Sequence, residues 1–132
     1  MRIFKTKALA RFTKREAISD ASLVSAIENA RRGLIDADLG GGIIKQRVAR
    51  PGQGKRGGFR MLIGFRSDRA IFLFGFAKNE RDNIDDDQLT TLREIVASWF
   101  VADDRKIAQA LKDGLLIEVN HGDENKKEPP AD

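Results

Sequence analysis

The residues of this chain best suited to chemistry are cations, and they are grouped. Lys45 and Arg47 stand two apart in segment 43–50, where Ile44 and Val48 alternate with them. On a strand the cations therefore leave from one face, together with Ala49, and the two aliphatic side chains from the other. Arg60 follows in a second alternating segment, 59–66, on the face opposite Phe59, Met61, Ile63 and Phe65. Between them runs Pro51-Gly52-Gln53-Gly54-Lys55-Arg56-Gly57-Gly58, a basic loop too rich in glycine for a strand. If this loop joins the segments as an antiparallel pair, Lys45, Arg47 and Arg60 converge on one patch. Lys78 and Arg81, just past the next apolar run, close it from the other side. Such a gathering suits phosphate oxygens, which a guanidinium grips through a fork of N–H groups and an ammonium as a point charge.

The charge layout supports this focus. The net charge is +4, yet residues 42–81 carry ten basic groups against two acidic ones, and residues 82–132 carry six against thirteen. A cationic middle of this kind attracts polyanions and speeds their encounter. Arg50, Lys55, Arg56, Arg66 and Lys78 are the expected supporting contacts to a nucleic-acid backbone.

Other chemistries are poorly supplied. Cysteine is absent, which removes disulfides, thiolate nucleophiles and thiolate-bound metals and suits a reducing cytoplasm. The one histidine, His121, lies in a polar C-terminal stretch, so neither a histidine-based nucleophile system nor a metal site is expected. Asp85-Asp86-Asp87 reads as a helix start, and no cofactor is implied. The loop 51–58 is not a nucleotide-triphosphate loop, because Ala49 stands where the first glycine is needed and Arg56 where a Ser or Thr would hold magnesium. Phe72, Phe74 and Phe76 could stack on bases, although burial in a sheet is their simpler role.

The elements that must position these cations are legible in outline. Residues 2–5 form a short strand, and 7–17 an amphipathic helix with Leu9 and Phe12 on one face. Ser19 or Asp20 caps a second helix carrying Leu23, Ile27, Ala30 and Leu34, and Gly40-Gly41-Gly42 ends that region. Strands at 43–50, 59–66 and 70–77 follow, the last apolar on both faces as in a central strand. Asp85 or Asp86 caps a helix through Phe100 with Leu89, Leu92, Ile95, Val96, Trp99 and Phe100 on its stripe. A shorter helix spans about 104–111, and a possible extended piece 115–119. The expected fold is α+β: a small, mainly antiparallel sheet with an N-terminal helical hairpin and C-terminal helices, in the order β-α-α-β-β-β-α. Residues 1–120 make one domain, and 121–132 a polar tail expected to be disordered. No apolar run is long enough to cross a bilayer, and charge returns too early near the start for a secretory leader.

Specific segments then carry a resemblance. Gly33–Gly42, Lys45-Gln46-Arg47, Arg50 through Arg60 (RPGQGKRGGFR) and Phe76 through Ile84 (FAKNERDNI) together resemble the HigB-type branch of the RelE toxin superfamily, over roughly residues 1–100. The resemblance implies the toxin half of a bacterial toxin–antitoxin pair. Its expected activity is that of a metal-independent endoribonuclease cutting mRNA, usually on the ribosome, in the cytoplasm. It also implies a cognate helix-turn-helix antitoxin, HigA-like, as partner. By position Lys45 and Arg47 match the family's basic strand pair, Arg60 the arginine of a Gly-aromatic-Arg segment, and Arg81 the basic stretch after the last strand; these four are the expected catalytic residues. The chain departs from the family pattern in having no tyrosine and no histidine in the core, so another group must move protons. Lys45, crowded by other cations, is one candidate, and Glu80 and Asp82 are others. A gyrase-directed toxin on the same scaffold, like the ParE-type relatives, and an RNA-binding module without turnover are the rival readings.

Overall fold

The computed structural model describes residues 1–49, 58–77 and 84–120. Ten elements follow one another: β1 (Arg2–Thr6), α1 (Lys7–Arg15), α2 (Asp20–Arg31), β2 (Ala37–Gly40), β3 (Ile43–Val48), β4 (Phe59–Phe65), β5 (Arg69–Ala77), α3 (Asp86–Val101), α4 (Asp104–Asp113) and β6 (Leu116–Glu118). Each helix starts where a side-chain oxygen meets an orphan backbone N–H. The Thr6 hydroxyl accepts from Leu9 N, Ser19 from Ser22 N, and Asp103 from Lys106 N. Asp85 accepts from Gln88 N at 2.8 Å while the Gln88 side chain accepts from Asp85 N, a capping box.

The six strands form one sheet in the order β2-β3-β4-β5-β1-β6. β1 runs parallel to β5, and every other neighbouring pair is antiparallel. Helices cover both faces. Leu9 and Phe12 of α1 and Leu23 and Ile27 of α2 pack with Ile44, Val48, Phe59, Met61, Ile63 and Phe72. On the other face Val96 of α3 and Ile107 and Ala110 of α4 pack with Phe4, Ile43, Leu62, Ile71 and Leu73. The α+β class and the mainly antiparallel sheet are as expected, and the late helix and extended piece form α4 and β6.

Three expectations are corrected. The stretch before the glycine triplet is not merely a helix end: it forms β2, an edge strand antiparallel to β3. Gly40, Gly41 and Gly42 all have positive φ and turn the chain between the two strands. A Cβ on Gly41 would also stand 2.8 Å from Arg93 Cγ, so this turn is pressed against α3. Next, α2 stops at Arg31, and Leu34, expected on its apolar stripe, is 60% exposed. Finally, Phe72, Phe74 and Phe76 do not share a face. Leu62 pairs with Phe74 but Ile63 with Phe72, so Leu73 is an extra residue at an irregularity that breaks the alternation. Phe72 points into the α1–α2 core, whereas Phe74 packs beside the α3–α4 core.

The seat of α3 determines how much of its sheet face is covered. Gly64 lies between Ile43 and Ile71 across three strands, and a Cβ there would come within 2.0 Å of Val96 Cγ2. The missing side chain lets α3 approach β4 closely. Val96 alone of the α3 stripe is fully buried; Leu89, Leu92, Trp99 and Phe100 are half-buried.

Candidate functional site

The expected cation patch forms two pleats beyond Gly64. Along β3 and β4, Arg47 lies directly opposite Arg60, and Arg60 directly opposite Phe76 of β5. Directly paired residues share a face, so these three side chains form one row across the sheet. The preceding row is Lys45, Leu62 and Phe74. Lys45, Arg47 and Arg60 thus share one face, as their spacing predicts. That face is less polar than expected, because Leu62 beside them is fully buried under the α3–α4 layer. Arg60 is buried with only 8% exposure, whereas Arg47 is exposed and Lys45 half-buried.

Two guanidinium groups directly opposite one another repel unless an anion sits between them. That anion is Asp36. Its Oδ2 lies 3.6 Å from Arg60 Nε and its Oδ1 4.0 Å from Arg47 Nη2. Both separations exceed hydrogen-bond length, so the carboxylate offsets the repulsion of the pair without being clamped as a bidentate fork.

The position of Asp36 is fixed through its backbone. Gln46 points to the opposite face from its neighbours Lys45 and Arg47 and is buried. Its Oε1 accepts from Asp36 N at 2.9 Å, and its Nε2 donates to Ala26 O at 3.0 Å and Leu34 O at 3.1 Å. One buried amide therefore ties α2, the segment leading to β2, and β3 together. The arrangement obeys the rule that a buried polar group must find partners. Beside it, a groove of about 590 Å³ runs between α2 and β3, with Ser25, Asn29, Leu34, Asp36, Gln46 and Arg47 among its lining.

Not every expected cation belongs to this cluster. Arg66 lies past the far end of β4, about 20 Å along the chain direction from Arg60 at ~3.3 Å per strand residue. Its Nη1 donates to Phe100 O at 3.2 Å and its guanidinium lies over the Phe100 ring at 5.1 Å. Arg69 Nη1 donates to Trp99 O at 2.6 Å and Ala102 O at 2.9 Å. These two arginines satisfy carbonyls at the C-terminal end of α3, whose own last turn contains no basic residue. Trp99, expected on the apolar stripe of α3, is half-buried. Arg50, Lys55, Arg56, Lys78, Glu80, Arg81 and Asp82 lie outside the described residues, as do most of the loop 51–58 and the tail 121–132.

Asp36 and Gln46 are the site residues that the sequence reading missed. Both stand within the segments that carry the resemblance, but neither carries a strand or charge pattern of its own. The available signal was the hairpin: pairing Ala37 with Lys45 across the glycine turn brings residue 36 beside residues 46 and 47.

A family model described as RelE toxin of RelE / RelB toxin-antitoxin system matches residues 1–119. The chain belongs to the RelE toxin family. No curated protein matches the sequence. The match spans all ten elements of this RelE-family toxin, including β2 and Asp36, and the family description pairs such a toxin with an antitoxin. Among the described residues no helix is long and apolar enough to cross a membrane.

Proposed function

We propose that this RelE-family toxin is a metal-independent endoribonuclease of the HigB type. It cuts mRNA, on the ribosome, in the bacterial cytoplasm, and a HigA-like helix-turn-helix antitoxin holds it in check. The observation that carries this reading is the direct opposition of Arg47 and Arg60 across β3 and β4. A toxin that binds only a protein target has little need of two guanidinium groups facing each other across a sheet, one of them buried. A phosphodiester does need them, because cleavage adds negative charge at phosphorus and stabilising that charge is the largest task of the protein.

In the proposed reaction the ribose 2′-hydroxyl attacks the adjacent phosphorus and the bond to the 5′ oxygen breaks. The RNA supplies its own nucleophile, so the protein's work is to hold the groups in line and to stabilise the crowded transition state. Arg60, buried and bordered by Phe76, is the fixed contact to a non-bridging oxygen. Arg47, exposed at the groove, meets the same phosphate from the β3 side, and Lys45 lies one pleat away on that face. Arg81 joins the catalytic set, and Arg50, Lys55, Arg56 and Lys78 hold the neighbouring backbone.

The test is an in vitro translation reaction with primer-extension mapping of the message. The wild-type protein is expected to leave discrete, ribosome-dependent cuts, and Arg60→Ala to lose them by a factor of 100 or more, on the order of one lost transition-state donor. An Arg60→Ala protein of intact fold that cuts normally overturns the reading. Intact message with stalled DNA supercoiling would transfer the activity to gyrase.

A further inference from the structure

We infer that Asp36 is the general base of the cleavage, taking the proton from the attacking 2′-hydroxyl; this rests on the ribonuclease reading. The chain has no tyrosine, and its one histidine is residue 121, so the acceptor must come from other side chains at the site. Among the described residues, Asp36 is the carboxylate that faces both guanidinium groups, at 3.6 Å from Arg60 Nε and 4.0 Å from Arg47 Nη2. A phosphate gripped by those arginines brings its own 2′-oxygen along. The 2′-oxygen must stand about 3–3.5 Å from phosphorus to attack, so a base serving it has to lie close to the guanidinium groups that hold the phosphate, as this carboxylate does.

Three features separate Asp36 from an incidental ion pair. Its distances to the arginines leave its oxygens without the tight fork that would occupy both. Its backbone N–H is pinned by buried Gln46 at 2.9 Å, which fixes the main chain from which the carboxylate projects, the kind of support a catalytic group requires. And it lines, with Arg47, a groove of about 590 Å³ between α2 and β3, so open space adjoins it.

The step balances without a cofactor. The 2′-O–H proton passes to an Asp36 oxygen as the 2′-O–P bond forms. The P–O5′ bond breaks, and the departing 5′ oxygen takes a proton from water. The hydroxide left behind removes the proton from Asp36. The products are a 2′,3′-cyclic phosphate and a 5′-hydroxyl end.

The experiment compares wild type, Asp36→Asn and Asp36→Glu in single-turnover cleavage of a ribosome-loaded message. In parallel, each protein is titrated with the same RNA carrying a 2′-deoxy sugar at the mapped cut, which binds but cannot react. Asp36→Asn is expected to cut at least 100-fold more slowly, within the range general bases supply. It should bind the deoxy RNA as tightly as wild type or more tightly, and Asp36→Glu should recover part of the rate. Cleavage by Asp36→Asn within threefold of wild type overturns the assignment while the nuclease stands. So does a loss of binding that matches the loss of rate, which would make Asp36 a support for the arginines. A wild-type protein that cuts nothing overturns the ribonuclease and the base together.

Discussion

Replacing Gln46 by leucine tests whether one buried amide both holds the α2–β2–β3 junction and sets the Asp36 carboxylate. Gln46 makes three hydrogen bonds of 2.9–3.1 Å, two as donor and one as acceptor. Each is worth about 1 kcal/mol net, so the change removes roughly 3 kcal/mol. Two terms reduce the loss. Ala26 is in mid-helix and keeps its helical bond, since a carbonyl oxygen accepts twice. Leucine, nearly the same size, also returns about 1 kcal/mol of apolar burial. The expected destabilisation is about 2 kcal/mol. With an m-value of about 1.5 kcal/mol/M for a chain of this size, the urea midpoint should fall by about 1.3 M. Circular dichroism during urea unfolding measures this, with the slope unchanged. Because Asp36 N then loses its anchor, the folded Gln46→Leu protein at low urea should also cleave at least tenfold more slowly. A midpoint within about 0.3 M of wild type, or a destabilised protein that cleaves at the wild-type rate, refutes the coupling between this amide and the site.

Two further outcomes follow from the same geometry. Gly64→Ala places a methyl within 2.0 Å of Val96 Cγ2, against the packed Val96 and Phe100 side chains, and should cost about 1–3 kcal/mol as overpacking does; calorimetry showing an unchanged melting temperature would mean α3 does not dock there. Arg47→Gln should weaken binding to single-stranded RNA and lower the slope of log affinity against log salt by about 0.7, the share of one neutralised phosphate, whereas an unchanged slope would place Arg47 away from the backbone.

The parts of this fold that the sequence discloses are those governed by local periodicity. Lys45, Arg47 and Arg60 declare their common face because the period of two runs unbroken between β3 and β4, and one antiparallel pairing then brings them together. Ser19, Asp85 and the α3 stripe declare helices through capping oxygens and apolar spacing. What stayed hidden depends on contacts between distant segments. β2 has only four residues, with an intermediate–exposed alternation, too weak a pattern to separate from a helix end. The break that sends Phe72 and Phe74 to opposite faces exists only in the register against β4. Arg66 counts among the cations of the middle segment by charge, yet the sheet places it at the end of α3, where Phe100 O claims it.

Asp36 is the instructive omission. Its charge belongs to a stretch of negative balance, residues 17–41, and nothing nearby in the chain suggests an alliance with the cations of 42–81. Only the turn at Gly40–Gly42, the pairing of Ala37 with Lys45 and the buried amide of Gln46 carry it there. The same placement accounts for how two arginines tolerate facing each other. An internal carboxylate offsets their repulsion, yet it stands too far off to satisfy their N–H groups, which leaves those donors ready for phosphate oxygens. On the proposed ribonuclease reading, a site built this way is held together in the free protein without being filled, and a substrate anion would complete it without first having to break a tight salt bridge.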